Sequence, residues 1–153
     1  MKIFKKTAYA LLIVLIAAQF FQPEKNEGSL VSVVPFLNET NVKAILETTC
    51  FDCHSNKTTY PWYNNITPVN YWLESHIKDG KKHLNFSEWS SYSLKKKEHK
   101  MDELYEEGEE GEMPLTSYTW THSDANLTAA QIAEVVAWGK TTRAQYQQQL
   151  NLR

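Results

Sequence analysis

Cysteine is nearly absent from this chain: two occur in 153 residues, Cys50 and Cys53. One pair cannot build the multi-disulfide scaffold of a small secreted domain, and its members lie close enough to form a single local chemical site. A charge excess is missing too. Net charge at pH 7 is -2 with no sustained basic stripe, which removes the electrostatic footprint of nucleic-acid binding. No long apolar run occurs either, since the one hydrophobic stretch, 8–21, falls short of the ~20 residues that comfortably cross a bilayer. Alternation of apolar and polar residues, the mark of a half-buried strand, is lacking, as is any internal repeat. What remains is a mostly helical chain, long enough for one modest domain whose small core needs help.

The N-terminus is the first positive feature. Met1-Lys2-Ile3-Phe4-Lys5-Lys6 is positively charged and leads into the apolar stretch, in the manner of an export signal. Ala17-Ala18-Gln19 makes a poor cleavage site and bulky Phe20 and Phe21 follow. The reading is therefore an uncleaved membrane anchor over residues 3–21, with lysines reaching back to the headgroups. That places the body in the periplasm, tethered to the inner membrane. Residues 1–22 form the signal or anchor segment, 23–32 a polar linker containing Pro23 and Gly28, 33–148 the domain and 149–153 a tail.

Helical periodicity marks four segments of the body. Residues 41–49 carry Val42, Ile45 and Leu46 on one face, with Thr40 or Asn41 as cap, and deliver the chain into Cys50. Thr67-Pro68 reads as a cap followed by proline at the first helical position. Val69, Trp72, Leu73, His76 and Ile77 then share an inward face until Gly80 ends the helix. A third helix spans 93–107, with Leu94, Met101, Leu104 and Tyr105 as a thin apolar stripe. The fourth, 129–147, opens with a Thr128/Gln131 capping box and lines up Ile132, Val135, Val136 and Gly139. Asn-x-Ser/Thr triplets begin at Asn38, Asn56, Asn65, Asn85 and Asn126; capping and turn formation explain them without a glycan.

Cys50-Phe51-Asp52-Cys53-His54 is a C-x-x-C-H motif, the attachment signature of c-type haem. In that chemistry two thiols form thioether links to the porphyrin vinyl groups while the adjacent imidazole binds iron. One turn of chain must therefore present two sulfurs to neighbouring pyrrole edges and a nitrogen to the centre. A thioredoxin-like redox pair would want a preceding strand and a βαβ pattern, and a zinc site two further ligands; neither is visible. The sixth iron position has rival candidates. Met113, in Gly111-Glu112-Met113-Pro114, offers soft sulfur on a loop fixed by proline. His76 and His83 are the competing ligands, and an open site is the remaining alternative. Met101 reads as a core residue, and His99 and His122 as surface residues. The glutamates between 103 and 112 and Lys95-Lys96-Lys97 suit solvated helix faces better than docking patches. Five tryptophans suit either a flat porphyrin or a small helical core.

The chain resembles the small bacterial haem-binding domain family of c-type cytochrome-like proteins. The resemblance rests on Pro23-Glu24-Lys25-Asn26, Cys50-Phe51-Asp52-Cys53-His54-Ser55-Asn56, Tyr60-Pro61-Trp62-Tyr63 and Leu84-Asn85-Phe86-Ser87-Glu88-Trp89. It extends to Gly111-Glu112-Met113-Pro114 and Ser117-Tyr118-Thr119-Trp120. It implies an all-α, cytochrome c-like domain wrapped around one haem and preceded by the apolar helix. Cys50 and Cys53 would be attachment points, His54 the proximal and Met113 the distal ligand. Where the family pattern often has an arginine after the glycine ahead of Asn-Phe-Ser, this chain has Lys81, whose ammonium grips a propionate less specifically than a planar guanidinium. The expected function is one-electron transfer with an unidentified redox partner protein, rather than enzymatic catalysis. The alternatives are a haem enzyme or gas sensor with a displaceable sixth ligand, or a haem-stabilised envelope module.

Overall fold

The computed structural model describes residues 2–30 and 41–152. The expected domain start near Val33, the Thr40 cap and the Asn38 triplet lie outside the described residues. Among these the chain is all-α, with seven α-helices and no strand: α1 (Lys2–Ala18), α2 (Val42–Thr49), α3 (Phe51–His54), α4 (Val69–His83), α5 (Leu94–Glu110), α6 (Thr116–Thr119) and α7 (Ala129–Asn151). Short 3-10 turns at Trp62–Asn65, Phe86–Ser91 and Ser123–Ala125 join them.

Helices α5 and α7 form the frame. Each has a side-chain cap at its start: Ser93 Oγ accepts from the Lys96 amide, and Thr128 and Gln131 make the reciprocal capping box. Gly111 closes α5 in the left-handed conformation, at φ 73°, where a side chain would be strained. The two helices run antiparallel and close together. A Cβ on Gly139 would stand 3.1 Å from Tyr105 Cβ, and one on Gly108 3.3 Å from Val136. Arg143 of α7 ties the pair by donating to Glu98 at 2.7 Å and to the Tyr105 hydroxyl at 2.6 Å. That hydrogen bond holds the Glu98 carboxyl below its ordinary range.

Above this frame α2 buries Val42, Ile45, Leu46 and Thr49, matching the helical spacing of its apolar residues. Phe86 and Trp89, both fully buried, fill the middle with Met101. The Trp89 indole Nε1 donates to the Tyr146 hydroxyl at 3.1 Å inside this core. Asn85 caps its turn by accepting from the Ser87 amide, as expected of an asparagine placed there.

Four expectations change. Gly80 does not stop α4, which continues to His83; the glycine is needed for a close approach instead, because a Cβ would lie 2.7 Å from the Cys53 carbonyl oxygen. Pro68 occupies the cap position rather than the first helical one. On the supposed inward face of α4, Ile77 is buried but Trp72 is 45% exposed. The tail expected from residue 149 is helical as far as Asn151.

The N-terminal segment also differs. Helix α1 is 17 residues long, about 25 Å at 1.5 Å per residue, against ~30 Å of bilayer hydrocarbon. Among the described residues no helix is long and apolar enough to cross a membrane. The helix ends at Ala18 instead of running on to Phe21, because the Gln19 amide turns to the domain, donating to Thr67 O at 3.1 Å and accepting from Thr67 N at 2.9 Å. The polar stretch read as a linker is likewise bonded to the domain: Gln22 Oε1 accepts from buried Asn70 at 2.6 Å, and Glu27 makes an isolated β-bridge with Lys57.

Tyr146→Phe should strand the Trp89 N–H in the core and cost about 1–3 kcal/mol. Urea denaturation of the variant beside the parent measures it.

Candidate functional site

The site grows from the junction of two short helices. Helix α2 hands its last carbonyls to the next turn, so that Cys50 N donates to Leu46 O at 2.9 Å and His54 N to Cys50 O at 2.9 Å. One helical turn therefore holds Cys50, Cys53 and His54, as the motif requires. Phe51 faces away into the core, its ring 5.1 Å from that of Phe86. Asp52 ties the turn outward: Oδ1 accepts from the Thr59 amide at 2.8 Å and Oδ2 from the Tyr118 hydroxyl at 2.9 Å.

Helix α4 crosses α3 at Gly80, in backbone contact with Cys53. This crossing brings the Leu84 carbonyl to 3.0 Å from His54 Nδ1. A carbonyl can only accept, so Nδ1 carries the proton and Nε2 is left with its lone pair. Burial lowers the His54 pKa, outweighing the hydrogen bonds that would raise it, and so favours this neutral imidazole. An imidazole held by a carbonyl on one nitrogen and free on the other is the usual preparation of a metal-binding histidine.

Cys50, Cys53 and His54 open onto a cavity of about 630 Å³, within the range of cofactor sites. Leu46, Leu84, Phe86, Leu104, Leu127, Ile132 and Val135 supply apolar walls. Met113, Pro114 and Leu115, from the loop after α5, line the same space, so the methionine candidate and the motif share one cavity. His76 and His83 line it as well, together with Asp79, Lys100, Glu103 and Glu107. His83 sits at the end of α4 rather than in a turn after it, and the His76 Nδ1 is engaged with Trp72 O at 2.8 Å. No tryptophan lines the cavity: Trp89 and Trp138 are core residues, Trp62 and Trp120 are exposed, and Trp72 packs on His76 with ring centres 4.3 Å apart. Met101 is fully buried, as its core reading expected. His99 is exposed, whereas His122 is partly covered and stacks on Tyr118 at 4.1 Å.

The two thiols are free, and burial, as the largest influence on each, pushes both up to about 11. A thioredoxin-like pair has one thiol lowered toward neutrality, the opposite direction from the shift of these two, and it follows a strand, of which there is none among the described residues. For zinc, no group of three or more His, Cys, Asp or Glu side chains is placed to hold a metal among the described residues. The donor set fits haem instead: two protonated thiols, a neutral imidazole with a free nitrogen and a thioether, around an apolar space.

Sequence reasoning missed Gly80, Asp52 and Tyr118. Tyr118 comes from α6, just after the Met113 loop, and its hydroxyl reaches Asp52 inside the motif. Burial first and the Asp52 carboxylate second raise its pKa, keeping it a hydrogen-bond donor. The Asp between the two cysteines was the one available signal, but nothing in the sequence names its partner 66 positions away.

The fold is a small helical domain in which a Cys-Cys-His turn and a methionine loop line one largely apolar cavity. The model of the haem-binding domain family matches residues 13–141, and the chain belongs to that family. No curated protein and no solved structure matches it.

Two outcomes check this site. Gly80→Ala should force α4 off Cys53, costing about 1–3 kcal/mol as overpacking does, read by thermal or urea unfolding of the haem-free chain. In the haem-free protein a thiol pKa near 11 leaves thiolate scarce at neutral pH. Alkylation by iodoacetamide should then rise about tenfold per pH unit from pH 7 to 10, whereas a plateau above pH 7 would mark an activated pair.

Proposed function

We propose that Cys50 and Cys53 bind haem covalently as a c-type centre, with His54 as proximal and Met113 as distal iron ligand, and that the protein transfers single electrons in the cell envelope. The observation that carries this reading is the convergence of those four residues on one cavity, with the His54 imidazole already oriented through Nδ1. When bound, haem would supply the one-electron couple between ferric and ferrous iron.

The protein's own part is to set the conditions of that exchange. By accepting a hydrogen bond from the Nδ1–H of His54, Leu84 O would make Nε2 a better donor to iron. The thioether of Met113 favours the ferrous state, and the apolar walls exclude water, both raising the potential. Each cysteine S–H would add across a porphyrin vinyl C=C, the sulfur bonding to one vinyl carbon and the hydrogen to the other, so that nothing leaves. An unidentified redox partner protein would give or take the electron. The exposed apolar residues of α1, with lysines at its beginning, support a seat on the inner membrane, and the export-like N-terminus supports a periplasmic body.

One observation favours a second reading. Met113 is 37% exposed on its loop, and a ligand so lightly covered could be displaced, as a gas sensor or peroxidase-like enzyme requires. Met113→Ala decides between Met113 and the histidines. The variant should lose the Met–iron charge-transfer band and fall in potential, while His76→Ala and His83→Ala keep both. A parent that is high-spin and binds carbon monoxide readily would favour the sensor or enzyme.

A further inference from the structure

Asn26 precedes the haem-attachment turn by more than twenty positions, yet every polar group it has is spent around that turn. Its side-chain amide donates to the Ser55 carbonyl at 2.9 Å and to Thr58 Oγ1 at 2.9 Å. Its Oδ1 accepts from Lys81 Nζ at 2.7 Å. Its backbone N–H donates to the Tyr60 hydroxyl at 2.7 Å, and its carbonyl accepts from Thr58 N at 3.0 Å. The neighbouring chain is equally close: a Cβ on Gly28 would stand 2.8 Å from Asn56 O.

The partners explain what such a hub could do. Ser55 is fully buried and directly follows His54, so the Ser55 carbonyl sets where the imidazole-bearing end of α3 stops. Lys81 directly follows Gly80, the residue lying on Cys53, in the helix whose end presents Leu84 O to His54. Asn26 thus joins the backbone just beyond the imidazole to the helix that orients it. An asparagine alone among small residues offers two donors and an acceptor from one planar group, which this bridge uses in full.

We propose that Asn26 is a positioning residue for the haem iron ligand His54, and that residues 22–28 are a strap belonging to the haem site. The proposal rests on the haem-attachment reading above. Its effect is exerted through Ser55 and Lys81, on the angle and height at which the imidazole meets the cavity.

The test uses the full-length chain made in a host with working cytochrome maturation, comparing the parent with Asn26→Ala, Asn26→Asp and, as a control outside the strap, the exposed Lys95→Ala. Covalent haem per chain, far-UV helix content, the visible spectrum and the reduction potential are read for each. Asn26→Ala should carry roughly tenfold less haem, as loss of an outer partner of a metal ligand does. Its loaded fraction should show a shifted potential and altered ligand bands at unchanged helix content. Asn26→Asp keeps the acceptor for Lys81 but loses both donors to the turn, so it should shift the potential even where Asn26→Ala fails to accumulate. Variants that load and titrate like the parent would overturn the proposal. So would variants that lose helix content while their remaining haem keeps the parent potential, since Asn26 would then be a fold staple only. A colourless parent is a separate result and would remove the haem reading itself.

Discussion

Helix α4 can lie against the attachment turn only because Gly80 has no side chain, with a Cβ there standing 2.7 Å from the Cys53 carbonyl oxygen. From that contact follow the position of Leu84 and the hydrogen bond that fixes the His54 tautomer. A wider separation would open the floor of the cavity and leave the imidazole free to turn. The remaining elements support this crossing: α2 buries its apolar face and leads into Cys50, Phe86 packs behind Phe51, and the antiparallel α5–α7 pair supplies the far wall through Leu104, Ile132 and Val135. The energy of the arrangement is mostly apolar burial, with hydrogen bonds deciding which way the site's few polar groups point.

The two candidate sides of the iron belong to different parts of the chain, and Tyr118 links them. Its hydroxyl donates to Asp52 between the two cysteines, while its helix continues the loop that carries Met113. One hydrogen bond thus joins the segment after the methionine loop to the turn holding the thiols. Burial and the Asp52 carboxylate itself both raise the pKa of the phenol, keeping it a hydrogen-bond donor.

Local signals were legible and distant ones were not. The capping box of α7, the stripe of α2 and the C-x-x-C-H spacing each state their structure within a few residues, and all appear where the sequence put them. Met113 was singled out because a thioether beside proline stands out once the haem motif is recognised, and it lines the same cavity as that motif. Gly80 was misread because a helix stop and a close approach both call for glycine, and only the crossing with α3 tells them apart. Asn26 looked like part of a linker because its partners lie 29 to 55 positions onward. Trp72 fitted the apolar period of α4 but is only partly covered, which periodicity cannot reveal.

Everything proposed for the site depends on thioether bonds between haem and the sulfurs of Cys50 and Cys53. Intact mass of the acid-denatured protein, purified from a host with working cytochrome maturation, tests for them most directly. The expected result is the polypeptide mass plus one haem, with the increment gone when both cysteines are changed to serine. A bare polypeptide mass from the parent, or an increment that survives loss of both sulfurs, would contradict it.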